Sequence, residues 1–211
     1  MITAPQIEAY IASLIPARSP LLTRMEEEAH AEHIPIIQLP SAQLMRFFVM
    51  QHQPKSILEI GTAIGYSTIW LAEAAPDARI VTMEIDQERI SRARQNFAEA
   101  GVTERIELLD QDATKGLPES YRFDCLFIDA AKGQYRTFLD LYVPHLNPGG
   151  LVISDNVLFR GQVADLESAT PRQRPMVEKI DGFNRYLAAH PLLDTTFIPI
   201  GDGLAVSVLR K

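Results

Sequence analysis

Three oxygen-bearing side chains and one amine stand at the ends of two apolar runs. The run Phe123-Asp124-Cys125-Leu126-Phe127-Ile128 is followed by Asp129-Ala130-Ala131-Lys132, and the run Gly150-Leu151-Val152-Ile153-Ser154 by Asp155-Asn156. Short, nearly continuous apolar runs are the pattern of parallel strands covered on both faces. The carboxyl ends of neighbouring parallel strands open onto one crevice. Asp129, Asp155 and Asn156 would then offer two carboxylates and an amide oxygen, with no Cys or His among them. That hard-oxygen set suits Mg2+ or another small divalent cation, with water and substrate completing an octahedron. The competing reading is that each Asp or Asn caps the turn behind its strand. Lys132 could assist deprotonation of a substrate or stabilise an oxyanion beside such a site. Equally, it could be an exposed lysine that opens a helix.

A second constellation begins at Ile57-Leu58-Glu59-Ile60-Gly61-Thr62-Ala63-Ile64-Gly65-Tyr66-Ser67. It reads as a buried strand, a glycine turn and a helix start, the corner where open α/β sheets hold nucleotide-like cofactors. Gly61 allows close backbone approach, and Gly65 relieves crowding where the helix begins. A dinucleotide site wants a third glycine, and Tyr66 stands in that place. Glu84 closes the next apolar run and is placed to accept both hydroxyls of a ribose. Asp112, after the third run, could bond an adenine amino group. No phosphate cradle accompanies these groups. A nucleoside without phosphates, S-adenosylmethionine, therefore fits better than NAD or ATP. The plainer alternatives are a tight corner at the glycines and a capping role for Glu84.

The elements that must position these residues alternate along the chain. Helical periodicity covers 5–15 and 20–33, and Ser41 is a candidate cap for a helix running to His52. Strands are expected at 56–60, 79–84, 105–109, 123–128, 150–154, 195–199 and 204–209. Helices are expected at 67–75, 87–100, 135–146 and 174–189. Gly201-Asp202-Gly203 between two apolar runs signals a closing hairpin. The alternation predicts an α/β fold: a Rossmann-like, doubly wound, seven-stranded, mostly parallel sheet with an antiparallel C-terminal hairpin strand and an N-terminal helical cap. We read residues 1–211 as one domain, with cap helices in 1–53 and the core in 54–211. His30 and His33 share a helical face, but no third metal ligand accompanies them.

Composition narrows the partners. A formal net charge of −7 argues against indiscriminate binding to DNA or RNA, which relies on basic surface. It leaves room for a local basic rim drawn from Arg18, Arg24, Lys132, Arg136, Arg160, Arg172 and Arg174. No apolar run approaches the length of a membrane span, and Met1 to Tyr10 lacks the features of a secretory signal. The single cysteine, Cys125, lies in an apolar run and reads as a small core residue. A cytoplasmic location is the expectation.

The blocks L-E-I-G-T-A-I-G-Y-S, Glu84, F-I-D-A-A-K and the D-N pair resemble the cation-dependent O-methyltransferases, the class that includes the catechol and caffeoyl-CoA enzymes. The similarity runs from about Ile34 to the C-terminus. It implies that Asp129, Asp155 and Asn156 bind the metal, and that Ser67, Glu84, Asp112 and Ala113 contact S-adenosylmethionine, with Asp129 close to both. Longer blocks, I-D-A-A-K-G-Q-Y (128–135), D-N-V-L-F-R-G-Q-V-A (155–164), K-I-D (179–181) with Asn184, and I-P-I-G-D-G-L-A-V-S (198–207), look like the bacterial tRNA 5-hydroxyuridine methyltransferases. That narrower resemblance implies 5-methoxyuridine formation at the wobble base of a tRNA anticodon loop, a backbone contact to the cofactor near Ile37, and a homodimer. Two other readings compete: a small catechol-like or caffeoyl-CoA-like acceptor, and an NAD-dependent oxidoreductase, against which the missing third glycine speaks.

Overall fold

The computed structural model describes residues 4–210. Seven strands form one sheet: β1 (Ser56–Ile60), β2 (Arg79–Glu84), β3 (Ile106–Asp110), β4 (Phe123–Ile128), β5 (Leu146–Ser154), β6 (Leu193–Ile198) and β7 (Leu204–Leu209), in the spatial order β3-β2-β1-β4-β5-β7-β6. β1 to β5 pair in parallel, and β7 runs antiparallel to both β5 and β6. Strand order reverses between β1 and β4, so the ends of these two strands frame the crevice of the sheet.

The strand residues explain the layering. Ile57 packs into one apolar cluster and its neighbours Leu58 and Ile60 into another, the period-2 alternation of a strand buried on both faces. The first cluster is covered by α2 (Pro20–Glu32), α3 (Leu39–His52), α4 (Tyr66–Ala74) and α5 (Gln87–Glu99). The second is covered by α6 (Tyr135–Tyr142) and α7 (Arg174–Ala188). The N-terminal cap helices α2 and α3 thus share one core with α4 and α5. Leu21, Leu22 and Met25 of α2 and Met45 and Val49 of α3 share the core of Ile69 and Trp70 on α4. α1 (Pro5–Leu14) differs, burying no residue at all.

The three largest differences from the expected boundaries each involve proline or glycine. α3 starts at Leu39 with Gln38 as its N-cap, because Pro40 fits the first turn of a helix. Ser41 is thereby inside the helix, and its hydroxyl turns to the Ile200 carbonyl. α6 stops at Tyr142 and continues as a 3-10 turn over Val143–His145, since Pro144 brings no N–H to the ladder. β5 begins at Leu146, not Gly150, and its pairing with β4 shifts register between Phe123 and Cys125. Residues 147–150 form an irregularity within the strand, with Gly149 at φ 81°.

Candidate active site

The strand mouths carry the chemistry. Gly61 follows β1 at φ 106°, and a Cβ there would lie 2.3 Å from the Asp129 carbonyl oxygen. Only glycine lets the ends of β1 and β4 approach so closely. The Asp129 N–H donates to the Ile60 carbonyl at 3.0 Å, and the Asp155 N–H donates to the Ile128 carbonyl at 3.0 Å. The ladder thus steps from Gly61 to Asp129 to Asp155 across three adjacent strands.

A cavity of about 470 Å3 opens at this edge, with Gly61, Glu84, Asp112, Ala113, Asp129 and Lys132 among its walls. Glu84 organises the wall on the β2 side. It accepts from the N–H groups of Ile85 and Asp86 at 2.9 and 3.1 Å and from the Ala63 N–H at 3.0 Å. A carboxylate offers about four acceptor positions, so capacity remains for a hydroxyl in the cavity. Asp112 caps the turn Ala113–Lys115, accepting at one oxygen from the Thr114 N–H and hydroxyl. Those bonds hold its carboxyl below the usual range, and its second oxygen is free of them. Tyr66, in the place of a third glycine, sends its hydroxyl to Glu26 on α2 at 2.6 Å, where Arg18 also binds. The start of α4 is thereby tied to a carboxylate on α2.

Two residues expected at the cofactor lie outside this cavity. Ser67 is buried, and its hydroxyl donates to Glu59 at 2.6 Å. Ile37 lines a neighbouring hollow of about 430 Å3 with Glu26, His30, His33 and Tyr66, and Pro35 borders both spaces.

Asp155 is 1% exposed, and its Oδ1 has no hydrogen-bond partner among the described residues. Burial pushes its carboxyl well up, and the negative charge of Asp129 adds to this. Burial also raises Asp129; Lys132 opposes that shift and Asp202 adds to it. Two buried carboxyls, one with an unpartnered oxygen, thus stand together at neighbouring strand ends. The donor set fits a small divalent cation. Asn156 is its third member, with Nδ2 3.3 Å from Asp155 Oδ2. Among the described residues, no group of three or more His, Cys, Asp or Glu is placed to share an ion. An ion held by Asp129 and Asp155 would therefore draw its third protein ligand from the Asn156 amide.

Sequence reasoning missed Glu59, Asp202 and Tyr135. Glu59 is fully buried in β1, and a lone carboxylate inside an apolar strand was its available signal. Asp202 sits in the hairpin turn, and its charge is felt by both Asp129 and Asp155. Its turn role accounted for it, so nothing in the sequence pointed further. Tyr135 is fully buried beside the same two carboxylates, its hydroxyl unpartnered among the described residues. The basic rim contracts. Arg18 is paired with Glu26, Arg24 with Glu99, and Arg136 lies 4.3 Å over the Tyr186 ring. Arg160, Arg172 and Arg174 are exposed.

A doubly wound sheet with a cavity at its switch point, bordered by two buried carboxyls, is the architecture of proteins that bind a nucleotide-like cofactor there. The comparisons are narrower. A family described as O-methyltransferase matches residues 13–211, and the chain belongs to that family. It is 30% identical to a catechol O-methyltransferase of Niastella koreensis, over 97% of this chain and 96% of that protein. It is 27% identical to a caffeoyl-CoA O-methyltransferase of Stellaria longipes, over 97% of this chain and 90% of that protein. The O-methyltransferase of Bacillus cereus, solved in complex with SAH, superimposes with a TM-score of 0.84 at 28% identity, covering all of both chains. Family membership sets aside the dinucleotide oxidoreductase.

Proposed function

We propose that this O-methyltransferase moves a methyl group from S-adenosylmethionine to one oxygen of a vicinal oxygen pair, in a reaction that needs a divalent cation, and that its acceptor is 5-hydroxyuridine at the wobble position of tRNA. The observation that carries the reading is the position of Asp129. It lines the nucleoside cavity and stands beside Asp155, so donor and acceptor sites share one wall. When bound, S-adenosylmethionine supplies an electrophilic methyl group and Mg2+ supplies Lewis acidity. The chain's own residues do the rest. Glu84 and Asp112 would hold the ribose and base of the cofactor, and Asp129, Asp155 and Asn156 would hold a cation that orients the acceptor. Lys132, on the cavity wall, takes the acceptor's proton or steadies the negative charge left behind.

5-Hydroxyuridine carries its 5-hydroxyl beside a 4-carbonyl, a vicinal pair like that of catechol. The tRNA acceptor is supported by the sequence blocks at 128–135, 155–164 and 198–207. The last two are joined where the Val157 N–H donates to Gly203 and the Leu158 N–H to Asp202. Exposed Arg160, Arg172 and Arg174 follow directly and provide a basic rim for a splayed anticodon base. A small catechol-like or caffeoyl-CoA-like acceptor is the second reading, favoured by the names of the relatives. The protein acts as a homodimer, paired through the apolar stripe of α1 and its neighbours on α3.

The test uses purified protein, S-adenosylmethionine, Mg2+ and either tRNA from cells lacking this protein or free catechol, with nucleosides and products read by mass spectrometry. The expected result is 5-methoxyuridine, lost with a chelator or in Asp155→Ala while cofactor binding persists. Methylation of catechol but not tRNA establishes the second reading, and activity indifferent to chelator removes the cation.

A further inference from the structure

One buried amide behind the candidate metal ligands is poorly explained by packing. Asn184 is 9% exposed, on the face of α7 that also buries Val177, Ile180, Phe183 and Leu187. Its Nδ2 donates to the Val157 carbonyl at 2.7 Å, while its Oδ1 has no partner among the described residues. A half-satisfied amide in an apolar layer is a liability compared with a leucine of similar size. Its value must lie in the bond that it does make.

That bond falls at a telling place. Val157 follows Asn156, which stands at φ 59°, and Phe159 and Arg160 in the same loop stand at 41° and 58°. Side-chain-bearing residues adopt this left-handed region only where their surroundings impose it, although asparagine tolerates it better than most. The surroundings here are visible. The Val157 N–H donates to the Gly203 carbonyl at 3.1 Å, and the Val157 carbonyl receives Asn184. Both ends of the residue after Asn156 are therefore pinned, one by the hairpin turn and one by α7. α7 is itself set against the start of α6, where Phe183 meets Tyr135 edge-on with ring centroids 5.3 Å apart.

We propose that Asn184 is a positioning residue for the divalent-cation site: its bond to the Val157 carbonyl holds the loop in the shape that aims the Asn156 amide at an ion shared with Asp129 and Asp155. The inference rests on the cation-dependent reading above. Asn184 touches neither substrate nor cofactor.

The test is Mn2+ binding, followed by electron paramagnetic resonance without substrate, in the full-length protein and in Asn184→Ala, Asn184→Asp, Leu187→Ala and Asp155→Ala. Asn184→Asp keeps the shape and removes the donor, whereas Leu187→Ala loosens the same helix through packing alone. Both Asn184 variants should weaken Mn2+ binding by roughly 10–100-fold with unchanged affinity for S-adenosylmethionine, which also reports that they are folded. Leu187→Ala should lower the melting temperature and leave the Mn2+ affinity alone. Wild-type Mn2+ affinity in both Asn184 variants, or an equal loss in Leu187→Ala, overturns the proposal. Wild-type protein that binds Mn2+ no better than Asp155→Ala overturns the cation-dependent reading instead, and this inference with it.

Discussion

Glu59 is the acidic residue that the proposed chemistry leaves unused. Its carboxylate is fully buried and accepts hydroxyls from Ser67 at 2.6 Å, Thr68 at 2.5 Å and Thr82 at 2.6 Å. Burial nevertheless pushes it up to about 7, against those bonds and with some help from the charge of Asp129. The folded chain thus holds this proton more tightly than the unfolded chain does. The associated stability is complete below the ordinary carboxylate range and is lost as pH rises through about 7. The shift is worth about 3 kcal/mol. Urea unfolding of Glu59→Gln should show a flatter dependence on pH between 5 and 8 than wild type; parallel curves would place the ionisation elsewhere. At this scale the sequence was legible where a residue ended a strand. Gly61, Glu84, Asp112 and Asp129 all meet at one cavity. It was illegible where long-range pairing decides. Asn184 donates to the Val157 carbonyl, and Ser67 donates to Glu59.

Among the elements, β1, β4 and β5 are tied together at the far end of the sheet by one side chain. Asp124, at the β4–β5 register shift, accepts from the N–H groups of Lys55 and Ser56 at 2.8 and 3.0 Å, the Ser56 hydroxyl at 3.1 Å and Asn147 Nδ2 at 2.7 Å. Burial alone would raise its carboxyl; these bonds outweigh burial and hold it below the usual range. Its contribution is therefore present above the ordinary carboxylate range and fades as pH falls through the lowered value. Asp124→Ala leaves several donors without an acceptor and should cost about 2 kcal/mol near neutral pH, by urea denaturation, with the gap to wild type narrowing in acid. An undiminished gap in acid would mean that packing, not charge, is what was lost. Strand number and alternation were readable because each strand is a short apolar run between turn residues. The starts of α3 and β5 were not, because Pro40 and the 147–150 segment each fit two local structures, and only pairing selects one.

At the scale of the whole molecule, α1 is the outlier. Ile7, Tyr10, Ile11 and Leu14 fall on one helical stripe, with Tyr10 65% and Leu14 64% exposed, and Phe47 on α3 is 54% exposed. An apolar stripe without a core to join is what the proposed second copy would cover. Tyr10→Asp combined with Leu14→Asp should halve the mass found by sedimentation; an unchanged mass would place the interface elsewhere. Helical periodicity shows which face of a cap helix is apolar but not what it faces. α2 and α3 turned out to face α4 and α5. No helix among the described residues is long and apolar enough to cross a membrane. The order of strands has one more outcome, which concerns the growing chain on the ribosome. β7 lies between β5 and β6, and its preceding turn supplies the Gly203 and Asp202 carbonyls that fasten the loop after Asn156. Until residues 201–209 have been translated, β5 displays an open edge to other nascent chains, and the loop carrying Asn156 has only the Asn184 bond to hold it, without the hairpin carbonyls. Catalytic competence thus arrives late in synthesis, with the strand that also ends the period of greatest aggregation risk.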